Sequence, residues 1–157
     1  SDPTLPQGRF DFLVQGGLGD FEYARSSLVG HLVFPLSARM RMAVEAGAGT
    51  SWGSPSTQRL WYVGGPSTLR GYDPRTAGGT SFGRARGELA RAFSFGRISL
   101  FSDLGWAGER SDVRFEDAFS SVGAGISILD GLIRFDGAWG LDAPRDFRFD
   151  AYLDQIL

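Results

Sequence analysis

The stretch Arg97 to Gly108, RISLFSDLGWAG, changes character at every residue. Arg97, Ser99, Phe101, Asp103 and Gly105 fall on one side of an extended chain, and Ile98, Leu100, Ser102, Leu104 and Trp106 on the other. A period of two is the signature of a strand whose two faces meet different surroundings. A helix would scatter the same residues around its cylinder, with Gly105 mid-segment at a cost of about 1 kcal/mol.

The same rule governs the rest of the chain. In LIRFDGAWGL, Arg134, Asp136, Ala138 and Gly140 oppose Ile133, Phe135, Gly137, Trp139 and Leu141. In ARMRMAVEAGAG, Arg39, Arg41, Ala43, Glu45 and Gly47 oppose Met40, Met42, Val44 and Ala46, and in FRFDAYLDQIL, Arg148, Asp150, Tyr152 and Asp154 oppose Phe147, Phe149, Ala151 and Leu153. The pattern predicts strands over 8–18, 20–34, 38–50, 82–93, 97–107, 118–128, 132–141 and 147–157, an all-β chain of antiparallel, up-and-down order. FPLS (34–37), SFGR (94–97) and LDGL (129–132) read as tight turns. They follow every second strand and therefore collect at one end, leaving the longer connections, 51–81, 108–117 and 142–146, at the other. Short turns at one rim, long loops at the opposite rim and runs of ten or more residues are the plan of a transmembrane β-barrel. The side chains agree, because the apolar faces are large and aromatic-tipped while the charged faces alternate Arg with Asp or Glu, as a wet interior would.

Composition narrows the alternatives. At 157 residues, 42% hydrophobic and 22% charged, the chain reads as one folded domain over 1–157 rather than a disordered segment. A formal net charge of -2 gives no footprint for nucleic acid, and the absence of cysteine excludes disulfides, thiolate metal sites and cysteine nucleophiles. Neither a run of about 18 apolar residues nor a signal-peptide plan is present. Twenty-three glycines, with aromatics at 13%, suit tight turns, curved strands and interface girdles. Trp106 and Trp139 read as girdle residues, with Trp52 and Trp61 undecided between girdle and loop. His31, the one histidine, has no Asp and Ser arrangement beside it and reads as a strand-face or rim residue. GGLGD (16–20) and the glycines near 64 lack the following GK[ST] and helix of a phosphate loop.

The longest connection carries VGGPSTLRGYDP at 63–74, too rich in turn formers for a strand or helix, yet holding an arginine between Leu69 and Gly71. Together with RGELARAF and LFSDLGW, this stretch resembles the C-terminal barrel half of the BamA/TamA-type outer-membrane assembly and translocation superfamily, also called the bacterial surface antigen family. The resemblance covers essentially the whole chain. It implies that Gly64, Gly65, Leu69, Arg70, Gly71 and Tyr72 form a loop tip folded back into the lumen. There Arg70 meets two acids on the inner wall, Glu88 and the Asp103 of a Phe101, Asp103, Gly105 motif. The alternation independently puts Arg84, Arg86 and Glu88 on one face of their strand and Asp103 on the charged face of its own. An arginine fork on carboxylates in a partly desolvated lumen makes charge-assisted bonds that lysine would reproduce less well.

The resemblance implies no enzyme, catalytic residue, cofactor or metal. Glu88 and Asp103 are poor candidates for a catalytic acid pair, since adjacent arginines would keep both ionised. Family barrels have sixteen strands preceded by periplasmic repeats, and end in an aromatic where this chain ends DQIL, so the expectation is half of a sixteen-stranded barrel with no repeat domain of its own. The implied setting is the bacterial outer membrane. The implied partners are its lipid, unfolded client polypeptides, and either the N-terminal barrel half and repeats of a longer parent or a second copy. A small structural or porin-like barrel without assembly activity is the competing reading, and eight strands could also close alone, with a lumen then filled by side chains.

Overall fold

In a computed structural model, which describes residues 5–18 and 22–153, the chain forms one eight-stranded antiparallel sheet and one small hairpin. The wall strands are β1 (Gln7–Gly17), β2 (Tyr23–Ser37), β3 (Met40–Gly53), β6 (Ser81–Phe93), β7 (Gly96–Gly108), β8 (Phe119–Ile128), β9 (Ile133–Gly140) and β10 (Phe147–Leu153). Between β3 and β6 lie β4 (Trp61–Val63) and β5 (Ala77–Gly79), paired only with each other. The wall runs in chain order from β1 to β10, each strand antiparallel to the next. It is an open sheet with β1 and β10 at its edges and no ladder between them among the described residues, so the eight strands do not close on themselves.

The eight expected strands fall on the eight wall strands, with two differences. FPLS is not the turn: β2 continues to Ser37 and the chain reverses at Ala38 and Arg39. Pro35 is tolerated because odd-numbered residues of β2 bond on the β1 side, where the ladder has ended at Gln7 and Val33, so no ladder hydrogen bond is lost, and the β2–β3 register shifts just after it, between Pro35 and Ser37. Ser37 Oγ then accepts the amides of Arg39 (3.3 Å) and Met40 (3.1 Å), which fixes the reversal. The connection 51–81 is more structured than its composition predicts, holding β4, β5 and a 3-10 turn at Thr57–Arg59. The proposed beginning of the second strand at 20–21 and the end of the last at 154–157, with Asp154 and the DQIL terminus, lie outside the described residues.

Burial is inverted relative to a water-soluble sheet. Large apolar side chains on one face stand exposed, among them Phe12 (71%), Phe149 (63%) and Leu100 (62%), whereas Asp103 and Asp136 on the other are 1% exposed. The physical reason is the loop between β3 and β6, which folds over the charged face and covers it, burying Val63, Leu69, Arg70 and Tyr72 there. An uncovered apolar band over a sheet of long strands is what hydrocarbon solvates and water does not. Of the tryptophans, Trp139 is 54% and Trp52 44% exposed, as girdle residues should be. Trp106 departs from that expectation at 9% exposed. Trp61 belongs to the loop, stacked at 4.7 Å on Phe82 with the Arg25 guanidinium 4.8 Å from its ring.

Candidate functional site: a lumenal loop on an ionic wall

The loop tip is built by its glycines. Gly64, Gly65 and Gly71 have φ of 128°, 80° and 85°, in the left-handed region that side chains resist. The Gly65 amide donates to Tyr72 O (3.0 Å) and the Leu69 amide to Gly65 O (2.9 Å), so residues 65–72 close a compact Ω-like turn. Thr68 Oγ1 locks its base, donating to Gly64 O (2.7 Å) and accepting from Gly64 N (2.9 Å). The reversal at Gly71 brings backbone against backbone: a Cβ there would lie 3.2 Å from Gly140 N and 3.3 Å from Ala138 Cβ. Leu69, fully buried, then packs toward Gly105, and Arg70 is delivered to the wall at 2% exposure.

Arg70 is held on three sides. Its Nε donates to Asp103 Oδ2 (2.8 Å) and its Nη2 to Asp103 Oδ1 (2.7 Å), a bidentate fork, while its backbone amide also donates to Oδ2 (3.1 Å). Nη1 donates to Glu88 Oε2 at 3.1 Å. The guanidinium lies 3.5 Å from the ring centroid of Phe101, a cation–π contact from below. Burial alone would lower the Arg70 pKa, but the hydrogen bonds and charges of Asp103 and then Glu88 prevail and raise it, so the side chain is a permanent cation.

The structure therefore brings Arg70, Glu88, Asp103 and Phe101 together. Gly105 lies alongside, although a Cβ there would be 3.4 Å from Leu69 Cδ2, ordinary contact, so packing against the loop does not by itself demand glycine. The constellation is larger than the loop motif suggests. Arg134 on β9 donates to both Glu88 oxygens (3.0 and 2.7 Å) and through Nε to Asp136 (2.9 Å). Asp136 lies 3.5 Å from Arg70 and accepts from Tyr152 Oη on β10 at 2.6 Å. Arg86 completes the ring, 3.5 Å from Asp103, with its other nitrogens donating to the carbonyls of Pro66 (3.1 Å) and Ser67 (3.2 Å). Three arginines face three carboxylates, so the charges balance and each buried ion has opposite charge beside it, as burial requires. Gly125 makes the room, since a Cβ at that position would strike Asp136 Oδ1 at 2.1 Å.

Arg134, Asp136 and Tyr152 had a usable signal in the sequence, their place on the charged face of their strands. What periodicity could not supply was the register that aligns β6, β7, β9 and β10 at one height. A second latch lies toward the loop rim. Tyr72 Oη donates to Ser120 O (2.8 Å) and accepts from Asp142 N (3.0 Å), and its ring packs edge-on to Phe119 at 5.3 Å. Burial raises the Tyr72 pKa, keeping it a neutral hydroxyl. Asp142 Oδ2 accepts from both Ser120 N and Ser120 Oγ at 2.7 Å, which lowers its carboxyl pKa. His31 stands apart on the inner face of β2, its Nδ1 3.2 Å from Glu45 and its Nε2 3.7 Å from Asp11.

An outer face for lipid, an inner face of paired ions and a loop bound to that inner face define the wall of a membrane β-barrel with a lumenal loop. The Omp85 superfamily domain matches residues 5–151, and the chain belongs to that superfamily. No curated protein matches it in sequence. Among solved structures it is similar to BamA from Haemophilus ducreyi lacking POTRA domains 1-3, at a TM-score of 0.78 and 14% identity over 94% of this chain. It spans 38% of the length of that chain, a likeness that shows the fold alone.

Proposed function

We propose that the protein acts in the bacterial outer membrane as part of a barrel that inserts or translocates other polypeptides, working by mechanical presentation of a barrel wall rather than by catalysis. The observation that carries this reading is the pinned loop. Arg70, forked on Asp103 and bonded to Glu88, spends a buried ionic network on holding 64–72 against the wall. A loop so held gives the inner wall a fixed shape, as a barrel that handles other chains needs. Membership of the Omp85 superfamily supports the same reading. The clients are unfolded outer-membrane or secreted polypeptides. The role of Arg70, Glu88 and Asp103 is to fix the loop.

The test is a folding assay in lipid vesicles. Vesicles carrying the refolded protein should accelerate membrane folding of a urea-unfolded outer-membrane barrel relative to empty vesicles. Arg70→Ala should remove that acceleration while the variant still shows the gel-mobility shift on boiling that marks a folded barrel. Equal rates with and without properly folded protein would eliminate the assembly reading and leave a structural barrel.

A further inference from the structure

Among the described residues of the eight wall strands, the lipid face carries one charged side chain, Arg91. On β6 the even-numbered Arg84, Arg86 and Glu88 join the ion pairs of the inner face, so the odd-numbered residues point to lipid. Arg91 is thereby set between Met40 on β3 and Ile98 on β7, with Leu89 and Phe93 on either side of it along its own strand. A guanidinium in an apolar row is tolerated where its stem can carry the charge to a polar surface. Arg91 stands two residues, about 7 Å, from the end of β6, within that reach.

Its neighbours mark the same level as the membrane interface. The turn after β6 holds Phe95, 58% exposed and stacked on Phe93 at 5.5 Å with 16° between the rings. Exposed aromatic rings at strand ends belong at headgroup level. The Arg91 guanidinium lies 5.4 Å from the Phe93 ring and, among the described residues, meets no carboxylate. Arg39 is exposed on the same stretch of rim, because the Ala92 amide donates to Arg39 O at 2.8 Å. Neither turn, 38–39 or 94–95, contains an acid, and Asp130 belongs to the β8–β9 connection. Among the described residues, two cations thus stand at this rim with no carboxylate to neutralise them.

We propose that Arg91, with Arg39 beside it, binds the headgroup of an anionic phospholipid, whose acyl chains lie along the apolar row of Leu89, Ile98 and Leu100. The short turns of a membrane barrel lie on its periplasmic side, so the lipid belongs to that leaflet. Its phosphate supplies acceptor oxygens to the guanidinium, and its net charge complements the two cations. A lipid is favoured over an acidic segment of another protein because Arg91 projects from the face that hydrocarbon covers. The site lies within the sheet, where β3, β6 and β7 are each paired on both sides. The inference rests on the membrane-wall reading given above, and its test separates the two.

The chain has no cysteine, so Ile98→Cys carries a single fluorophore beside Arg91, and Val122→Cys, on the lipid face of β8, carries a reference one. Each labelled protein is refolded into phosphatidylcholine vesicles with a minor fraction of nitroxide-labelled phosphatidylglycerol or, at equal fraction, nitroxide-labelled phosphatidylcholine. Quenching at Ile98→Cys should show phosphatidylglycerol enriched about fivefold, the factor that corresponds to about 1 kcal/mol for a basic side chain at a membrane surface. Val122→Cys should show no preference. Adding Arg91→Gln should remove the enrichment and adding Arg91→Lys should retain it, in proteins that keep the gel-mobility shift on boiling. Equal quenching by the two lipids at Ile98→Cys, in protein that floats with the vesicles, overturns the headgroup site and leaves the membrane wall standing. Enrichment that survives Arg91→Gln does the same. Protein that fails to float with vesicles overturns both.

Discussion

At the scale of single residues, the inner wall depends on keeping buried charges matched. Arg70→Ala leaves Asp103 buried without its fork, and breaking such a pair by removing one partner costs about 3–5 kcal/mol. Limited proteolysis of the loop should register this as a large gain in sensitivity, with Arg70→Lys intermediate because a point charge keeps attraction but loses the bidentate geometry. Equal cleavage of wild type and Arg70→Ala would show that the pairing does not pin the loop. At the rim, Asp142 offers a test in pH. Its carboxyl pKa is lowered in the folded protein by the two Ser120 donors, below the unfolded value of about 3.9. Its contribution is therefore complete above the ordinary carboxylate range and is lost as pH falls through the folded value. Acid titration of loop protection should show less loss in Asp142→Asn than in wild type, because the amide has no charge to forfeit. The loop arginine and its two acids are legible in the sequence, where motif and alternation agree on them. Tyr72 was legible as a motif member, but its bonds to Ser120 and Asp142 depend on contacts between segments 48 and 70 residues apart, beyond the reach of local pattern.

At the scale of elements, the last strand is secured by side chains. Among the described residues its ladder is with β9, and beyond that ladder Tyr152 donates to Asp136 while Arg148 binds Asp73 in the loop. Tyr152→Phe removes one of these ties and leaves the Asp136 oxygen without it, at a cost of about 1–3 kcal/mol. Hydrogen exchange should then quicken in β10 and leave the β7–β8 ladder unchanged. Uniform acceleration across the sheet would instead mean global destabilisation. The strands themselves are legible to within three residues of their described ends, because period-two alternation holds wherever two faces meet different media. The exceptions were local. Pro35 reads as a turn in sequence but sits inside β2 just before a register shift, and the β4–β5 hairpin is too short, at three residues a strand, to show any periodicity.

For the whole molecule, the inverted burial makes a directional prediction. Leu100 lies on the exposed apolar band at 62% exposure, directly beside Phe101 and Asp103 on the inner face. An arginine on the lipid face near mid-bilayer costs about 2–4 kcal/mol, so Leu100→Arg should lower the folded fraction in vesicles, read as loss of the heat-modifiable band. A soluble sheet would gain solubility from the same change. The openness of the sheet was not decidable from the strand count alone, because eight strands are enough for a closed barrel; the loop over the inner face is what bears on it. That loop also ties wall strands together. Across mid-wall, the side chains around Arg70 come from β6, β7, β9 and β10, and β1 to β3 join that block through the β3–β6 ladder, the Arg84–Glu45 pair, the Thr50–Ser81 hydroxyl pair and Arg25, which donates to Arg59 O in the loop, among other ties. The carboxylates that hold Arg70 sit on β6, β7 and β9, so a bilayer that thins or stretches around the wall loosens the loop by moving those strands past one another.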